Sequence, residues 1–226
     1  MTINYCLPII KHSKKEVLDF VYKYRNEYQY LEIWLDSIKD LDNAFVDTLI
    51  YMLLDKLILL FNRGNKMQKR VNPEKKFEIL DLLNESESFL DLDLSEKEEL
   101  AYLKKNKLKV KKIISYHNYQ ETPVDLDKII KNMDQMKPTI YKIATMCNSE
   151  TDSLKLLLLQ QKLHIQNKKH VVLGMGEFGT ITRVYGTLWG NELIYAPVTK
   201  QEASAPGQLT KQELERIFYE LLGTSS

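Results

Sequence analysis

The chain contains few of the residues that mark specialised classes of protein. Its 226 residues include only two cysteines, Cys6 and Cys147, which is too few for a disulfide framework and indicates free thiols in a reducing compartment. No apolar run reaches the roughly 18 residues that a membrane-spanning helix needs. The first residues also lack the basic segment and apolar stretch of a signal peptide. We therefore expect a cytoplasmic protein with no membrane partner.

An excess of charge of one sign is also lacking. The 32 Lys and Arg residues nearly balance the 31 Asp and Glu residues, so no overall field attracts nucleic acid. The sequence has only four histidines, and none stands with cysteine at a spacing typical of metal ligands. The sequence therefore predicts no nucleic-acid partner and no metal site.

Short apolar runs alternate with amphipathic stretches along the whole chain. The runs predict eight strands, at Ile3–Leu7, Tyr30–Asp36, Lys56–Phe61, Phe89–Leu94, Val110–His117, Thr139–Thr145, His170–Met175 and Glu192–Ala196. The amphipathic stretches predict eight helices, at Lys14–Tyr28, Asn43–Leu54, Pro73–Asn84, Glu96–Lys105, Leu126–Met136, Glu150–Gln166, Ile181–Leu188 and Lys211–Leu222. Ser95, Ser149 and Thr210 each precede an acid by three residues and predict capping boxes.

The alternation of strand and helix predicts an α/β protein with a parallel sheet. Eight such units in one chain of this length fit a (βα)8 TIM barrel, which usually has about 250 residues. No linker rich in proline, glycine or serine divides the chain, so residues 1–226 are expected to form a single barrel domain. A doubly wound open sheet is the alternative fold.

Charged residues occupy one face of several predicted strands. Glu32 and Trp34 alternate with apolar residues in the second strand, and Asp91 and Asp93 do so in the fourth. In a barrel the apolar face meets the helices, so the charged face points inward. Inward carboxylates are costly unless they are paired, and a charged interior is what a functional site looks like. A solvated second face of an open sheet is the alternative explanation.

Lys142 stands in the middle of the sixth predicted strand, in Thr139–Thr145, where a charged residue is unexpected. Burial disfavours an ammonium, and a neutral amine attacks carbonyl groups to form a Schiff base. His117 ends the fifth strand, where an imidazole could transfer protons at neutral pH. His12, His164 and His170 are interpreted as surface residues. The alternative for Lys142 is a lysine at a strand end whose amino group reaches solvent. The alternative for His117 is a histidine with a structural role.

Three further features near strand ends bear on function. Arg63 and Arg183 each follow a strand and could bind a carboxylate through two parallel hydrogen bonds, although such arginines are also often structural. Gly174–Gly179 matches the dinucleotide pattern G-x-G-x-x-G, but the acid expected about 20 residues later is missing, so we interpret these glycines as a tight turn. Cys147 is interpreted as a packing residue rather than a nucleophile.

Five collinear segments resemble the type I 3-dehydroquinate dehydratases. The segments are Glu32–Asp36, Ser115–Pro123, Lys142–Met146, Gly174–Arg183 and Ala203–Gln208. Together they cover nearly the whole chain, and the segment Ala203–Gln208 is similar to the family's lid motif almost letter for letter.

The resemblance implies a (βα)8 barrel that removes water from 3-dehydroquinate without a cofactor, in the shikimate pathway of aromatic amino acid biosynthesis. It implies that Lys142 forms the Schiff base and that His117 is the general acid and base. The residues implied to bind the substrate are Glu32, Trp34, Arg63, Arg183, Ser204 and Gln208. It is also compatible with a homodimer.

The sequence departs from the family pattern at two positions. Trp34 stands where the family usually has arginine, and Met67 stands where an acid usually orients the histidine. We therefore expect activity with altered binding or proton transfer, and we consider Asp91 or Asp93 as a substitute partner for His117. The alternatives are a weakened barrel that binds a shikimate-like ligand and another barrel with a Schiff-base lysine, such as an aldolase.

Overall fold

In the computed structural model of the protein, residues 2–61 and 71–223 are described. Their strands are β1 Tyr5–Ile9, β2 Tyr30–Trp34, β3 Leu57–Leu60, β4 Phe89–Asp93, β5 Lys111–Asn118, β6 Ile140–Met146, β7 His170–Met175 and β8 Ile194–Tyr195. Their α-helices are α1 Lys14–Tyr24, α2 Asn43–Leu53, α3 Pro73–Leu82, α4 Lys97–Lys105, α5 Leu126–Asp134, α6 Glu150–Ile165, α7 Gly176–Leu188 and α8 Lys211–Leu222. Short 3-10 turns occur at Leu35–Ser37, Leu54–Lys56 and Lys200–Glu202.

The strands follow one another in the sheet in the order β7-β6-β5-β4-β3-β2-β1-β8. From β1 to β7 each strand therefore lies beside its neighbour in the sequence, and β8 lies beside β1. A doubly wound sheet reverses its strand order part-way, which this sheet does not do. The fold class is the predicted (βα)8 barrel.

The chain divides into two compact units. One runs from Ile9 to Ile113, and the other combines the residues up to Pro8 with those from Ile114 onward. The single domain over residues 1–226 stays a prediction. No helix in the described ranges is both long and apolar enough to cross a membrane.

In the unit from Ile9 to Ile113, β3 lies between β2 and β4. Its four residues are all buried, and it pairs in parallel with both neighbours, with Ile33 opposite Leu59 and Leu59 opposite Leu90. A continuous apolar run without alternation is typical of a parallel strand covered on both faces. The second predicted strand is wrong at its end, because the backbone turns into a 3-10 helix at Leu35.

In the other unit, β7 passes directly into α7. A Cβ on Gly179 would lie 2.4 Å from the carbonyl carbon of Gly174, so the start of the helix packs against the strand backbone only because both residues are glycine. The glycine motif is thus the strand-to-helix turn that its spacing predicted. The predicted start at Ile181 is wrong, since the helix begins at Gly176, which lies in the left-handed region with φ +78°.

The backbone of β7 also forms hydrogen bonds with a side chain, in the way that it would with a neighbouring strand. Asn191 Oδ1 accepts a hydrogen bond from Val172 N at 2.8 Å, and its Nδ2 donates to Val172 O at 3.1 Å. Glu192 N donates to His170 O at 2.8 Å in the same region. A Cβ on Gly186 would lie 2.5 Å from Asn191 Nδ2, so glycine at that position leaves room for the amide. The amide thereby fills part of the role of a neighbouring strand.

The predicted helix caps are confirmed at one position of three. Thr210 and Glu213 form the reciprocal capping box of α8. Ser149 precedes α6 without a side-chain cap bond, and α4 begins after Glu96 rather than at a serine cap. The hydroxyl of Ser95 instead donates to Asp93 Oδ1 at 2.7 Å, which removes it from the helix end.

His170 is buried, so its interpretation as a surface residue is wrong. Only 2% of it is exposed at the start of β7, and its Nδ1 lies 2.7 Å from the carbonyl oxygen of Lys168. Burial lowers the pKa of His170, although the Lys168 carbonyl opposes this effect. His12 and His164 are exposed, as predicted.

The burial of His170 predicts a stability that depends on pH. With its pKa lowered in the folded protein, the unfolded chain binds the proton first as the pH falls below about 6.5. We expect the free energy of unfolding to decrease from that pH downward and the slope to disappear in His170→Gln. Urea unfolding between about pH 5 and 7 measures this slope. The exposed His12→Gln serves as control, and an unchanged slope in His170→Gln would contradict the prediction.

Candidate active site

Lys142 is buried in the middle of β6, as predicted. It is 5% exposed and is the only buried lysine among those that the structure describes. In the register of β6 and β7 it lies opposite Val171. Its Nζ is 4.4 Å from the centre of the Tyr195 ring on β8, which is within the range of a cation–π contact. The sheet therefore curves enough to bring side chains of β6 and β8 together.

His117 is the penultimate residue of β5, the strand next to β6 in the sheet. It is partly exposed, and its ring stacks on Tyr119 with the centroids 6.2 Å apart and the planes at 22°. Its position at the carboxyl end of the strand is the one predicted. The carboxyl ends of the strands are where active sites of (βα)8 barrels assemble.

A pair of threonines joins the segment after β5 to the end of β6. Thr122 Oγ1 donates to the carbonyl oxygen of Met146 at 2.8 Å and lies 2.9 Å from Thr145 Oγ1. Because a hydroxyl carries one proton, Thr145 donates to Thr122. Sequence patterns do not predict this contact, and its one signal is the position of Thr122 inside the Ser115–Pro123 segment.

Cys147 follows β6 and packs closely against β7. Its Sγ lies 2.6 Å from the point where a Cβ on Gly174 would be, so the thiol occupies the space that this glycine leaves. Burial raises the pKa of Cys147, and its hydrogen bonds with Ser153 and Thr122 oppose this effect. The protonated thiol is a weak nucleophile, which agrees with its interpretation as a packing residue.

Arg183 lies in α7 with only 2% of its surface exposed. Its Nη2 donates to the carbonyl oxygen of Pro206 at 3.2 Å. Its Nε and Nη1 are buried and have no hydrogen-bond partner within the described residues. Burial lowers the pKa of Arg183 to about 10, so the guanidinium remains charged at neutral pH. A buried cation with unmatched donors suits an anionic acceptor, such as a carboxylate.

The loop Ala203–Gln208, here called the lid loop, is held by contacts inside it and by contacts to α7. Ser204 N donates to Gln208 Oε1 at 2.8 Å, and Gln208 Nε2 donates to Ser204 Oγ at 3.0 Å. A Cβ on Gly207 would lie 2.8 Å from Gly176 O. With the Arg183 bond to Pro206, these contacts bring three of the predicted residues, Arg183, Ser204 and Gln208, into one region.

Glu32 and Trp34 form a pair in the unit from Ile9 to Ile113. Glu32 is 2% exposed, and the indole Nε1 of Trp34 donates to its Oε2 at 3.1 Å. Trp34 thus supplies a neutral donor to the carboxylate at the position where the resemblance implies a cation. Arg63 and Met67 lie outside the described residues.

Other predicted acids lie on β4 of this unit. Asp91 is fully buried, and Asp93 Oδ1 accepts hydrogen bonds from the backbone and side chain of Ser95. A role for either aspartate toward His117 stays a prediction. In the described ranges, no group of three His, Cys, Asp or Glu side chains is placed to hold a metal ion.

Residues 5–225 match the sequence profile described as type I 3-dehydroquinase. The chain belongs to the type I 3-dehydroquinase family. It is therefore an enzyme of the hydro-lyase class, as the resemblance of its motifs implied. Two proteins named 3-dehydroquinate dehydratase illustrate how far the sequences of this family have diverged. The one from Methanococcus maripaludis strain C5 is 27% identical over 219 residues, which are 94% of this chain and 97% of that protein. The one from Coxiella burnetii strain CbuK_Q154 is 29% identical over 229 residues, with coverage of 97% and 95%.

Solved structures of 3-dehydroquinate dehydratases share the fold of this type I 3-dehydroquinase chain. The enzyme from Geobacillus kaustophilus superposes with a TM-score of 0.82 and 20% identity, over 100% of this chain and 93% of the other. The type I enzyme from Clostridium difficile, whose structure is described with covalent modified comenic acid, has a TM-score of 0.76 and 23% identity over 97% and 92%. At these identities the likeness establishes the fold alone.

The close approach of the lid loop to α7 predicts an effect of adding one methyl group to it. Gly207→Ala places a Cβ 2.8 Å from Gly176 O at φ +78°, a conformation that costs about 1 kcal/mol or more for alanine. We expect the lid loop to move away from α7 and kcat/KM for the dehydration of 3-dehydroquinate to fall about tenfold. Gly223→Ala is the control, because that glycine also has a positive φ but no atom within 4 Å of the added Cβ. Equal effects of the two substitutions on kcat/KM would contradict the prediction.

Proposed function

We propose that this chain converts 3-dehydroquinate to 3-dehydroshikimate in the shikimate pathway, through a Schiff base on Lys142. The observation that carries the proposal is the burial of Lys142 on β6, in a chain that belongs to the type I 3-dehydroquinase family. An ammonium without solvent is costly, so a barrel that keeps one lysine buried has a use for its amine. The relatives named 3-dehydroquinate dehydratase support the choice of substrate.

The reaction begins with attack of the neutral Lys142 amine on the ketone carbon at C3. The amine forms the N–C bond, and the ketone oxygen takes up protons and leaves as water, which gives a protonated imine. The positive nitrogen withdraws electrons and acidifies the neighbouring C–H at C2. These reaction steps need no metal or nucleotide, because the imine nitrogen itself accepts the electron pair.

His117 then moves the proton. It removes a proton from C2 to give an enamine. The enamine electrons then expel the C1 hydroxyl group, which leaves as water after His117 returns the proton to it. A second water hydrolyses the imine and regenerates Lys142, so one molecule of water is lost overall. A group whose pKa is near neutrality can serve both steps, and partial exposure leaves the His117 ring open to a ligand.

Arg183 and the lid loop bind the carboxylate of the substrate in this proposal. The charged guanidinium of Arg183 holds the carboxylate through its unmatched donors, while Nη2 keeps the lid loop in place through Pro206. Ser204 and Gln208 close over the substrate from the lid loop, and closure excludes water. We also propose that Arg63 binds the substrate.

Glu32 and Trp34 bind ring hydroxyls of the substrate in this proposal. The Glu32 carboxylate accepts hydrogen bonds from the ring hydroxyls, and the Trp34 indole orients it. Because an indole is a neutral donor, it does not neutralise the Glu32 carboxylate as the charge of an arginine would. This arrangement favours a ligand that offers several hydroxyl donors.

The proposal also includes the setting of the enzyme. We place it in the cytoplasm, where buried free thiols such as Cys6 and Cys147 stay reduced, and we expect a homodimer. We expect no nucleic-acid partner, because the positive and negative charges nearly balance.

Reduction with borohydride in the presence of 3-dehydroquinate tests the covalent step. We expect a mass increase on the peptide that contains Lys142, together with formation of the conjugated enone product, and neither in Lys142→Ala. Lys155→Ala, a change at a lysine paired with Asp152, should behave like the wild type. Labelling without product would indicate a weakened barrel that only binds, and an unlabelled Lys142 would refute the proposal.

His117→Ala separates the covalent step from proton transfer. The variant should still be labelled on Lys142, because the imine forms without it, whereas kcat should fall by about 10²- to 10⁴-fold. Tyr119→Leu, which removes the ring stacked on His117, is the matched control and should retain most of the activity. A near-normal kcat in His117→Ala would assign the proton transfer to another group.

Arg183→Ala tests the binding of the carboxylate. Loss of charge-assisted hydrogen bonds should raise KM about 10- to 100-fold and change kcat little if the ground state and the transition state are held alike. Arg183→Lys keeps the positive charge but loses the planar guanidinium group. Its KM should therefore lie between the KM of the wild type and that of Arg183→Ala. Arg216→Ala removes an exposed arginine as control. An unchanged KM in Arg183→Ala would remove Arg183 from the site.

A further inference from the structure

Lys142 meets an aromatic face rather than only polar groups. Its Nζ lies 4.4 Å from the centre of the Tyr195 ring, and both side chains are buried, at 5% and 3% exposure. Cation–π contacts are strongest where solvent is excluded. The other cation–π contacts in the described part of the chain involve cations that are not buried, such as Lys11 over Phe20 and Lys211 over Tyr5.

The backbone holds both partners of this contact firmly. Tyr195 pairs with Cys6 in the register of β1 and β8, and Ala196 N donates to Cys6 O at 2.9 Å. Lys142 pairs with Val171 between β6 and β7. The backbone at both residues is thus fixed by a parallel ladder. The Tyr195 ring is therefore held in a position where it contacts the end of the lysine side chain.

An aromatic face beside the amine suits Schiff-base chemistry at Lys142. The ring attracts a positive nitrogen but accepts no proton, so it does not prevent the amine from reaching the neutral form that attacks a carbonyl group. When the neutral carbinolamine loses water, positive charge develops on the same nitrogen, and a preorganised ring face stabilises that charge where it appears.

We infer that Tyr195 is a positioning residue of this enzyme: its ring face fixes Lys142 Nζ and stabilises the positive charge of the imine formed there. The inference rests on the proposed function, since it requires an imine on Lys142. A contact of this kind out of solvent changes an equilibrium by up to about 30-fold. The hydroxyl of Tyr195 has no part in the role, so the ring alone should be enough.

Substitutions at position 195 test the ring. We expect Tyr195→Phe to form the borohydride-trapped adduct on Lys142, at saturating 3-dehydroquinate, within about threefold of the wild-type rate. Tyr195→Leu and Tyr195→Met, which lack a ring, should form it about 10- to 30-fold more slowly, with a matching fall in kcat. Tyr5→Leu is the matched control, because Tyr5 is also a buried tyrosine of this sheet and faces Lys211 instead.

Fluorinated phenylalanines distinguish charge stabilisation from packing. Mono-, di- and trifluorinated phenylalanine at position 195 keep the shape of the ring while each fluorine weakens the negative charge of its face. The logarithm of the trapping rate should fall in equal steps along the series, which a role in packing alone would not produce.

The outcomes separate this inference from the function on which it rests. If wild-type Lys142 is not labelled, the proposed function fails. If the wild type is labelled but the rate is insensitive to fluorination, or Tyr195→Phe is as slow as Tyr195→Leu, the role of the ring is refuted while the proposed function stands. If Tyr195→Leu and Tyr195→Met do not fold, the fluorinated series decides alone.

Discussion

The burial of two basic side chains is the constraint on which the unit that holds β6, β7 and β8 depends. Lys142 and Arg183 are 5% and 2% exposed, and a buried side chain that carries charge costs several kcal/mol before its contacts offset that cost. The Tyr195 ring and the Pro206 carbonyl supply part of the compensation. A fold selected for stability alone would place apolar residues at both positions. The two side chains therefore mark positions where burial costs the fold stability.

The elements of the fold could be predicted because their signals are local. Apolar runs bounded by polar turns identify β3 and β7, and the amphipathic stripe with its Thr210 cap identifies α8. The errors have equally local causes. The start of α7 was placed too late because glycines usually end helices, whereas here Gly174 and Gly179 allow the helix to begin against the strand. The burial of His170 was missed because lysines precede it.

The candidate site was predictable where a side chain breaks a pattern. A lysine within a predicted strand and a histidine at a strand end can be recognised from the sequence alone. The apolar residues around Lys142 predict its burial, which the structure shows. The partners of these residues were not visible. The contacts between Lys142 and Tyr195 and between Arg183 and Pro206 join residues far apart in the sequence. Their existence depends on how the sheet curves and how a loop returns to a helix.

The pairing of Asn191 with β7 has a chemical consequence. Deamidation to aspartate would keep the acceptor for Val172 N but replace the Nδ2 donor by a second oxygen, facing the carbonyl oxygen of Val172 across about 3 Å. The hydrogen bond between position 191 and Val172 O would be replaced by repulsion between two oxygens. This repulsion alone would disrupt the pairing of residue 191 with β7. The edge of β7 at Val172 therefore depends on the amide at position 191 remaining an amide.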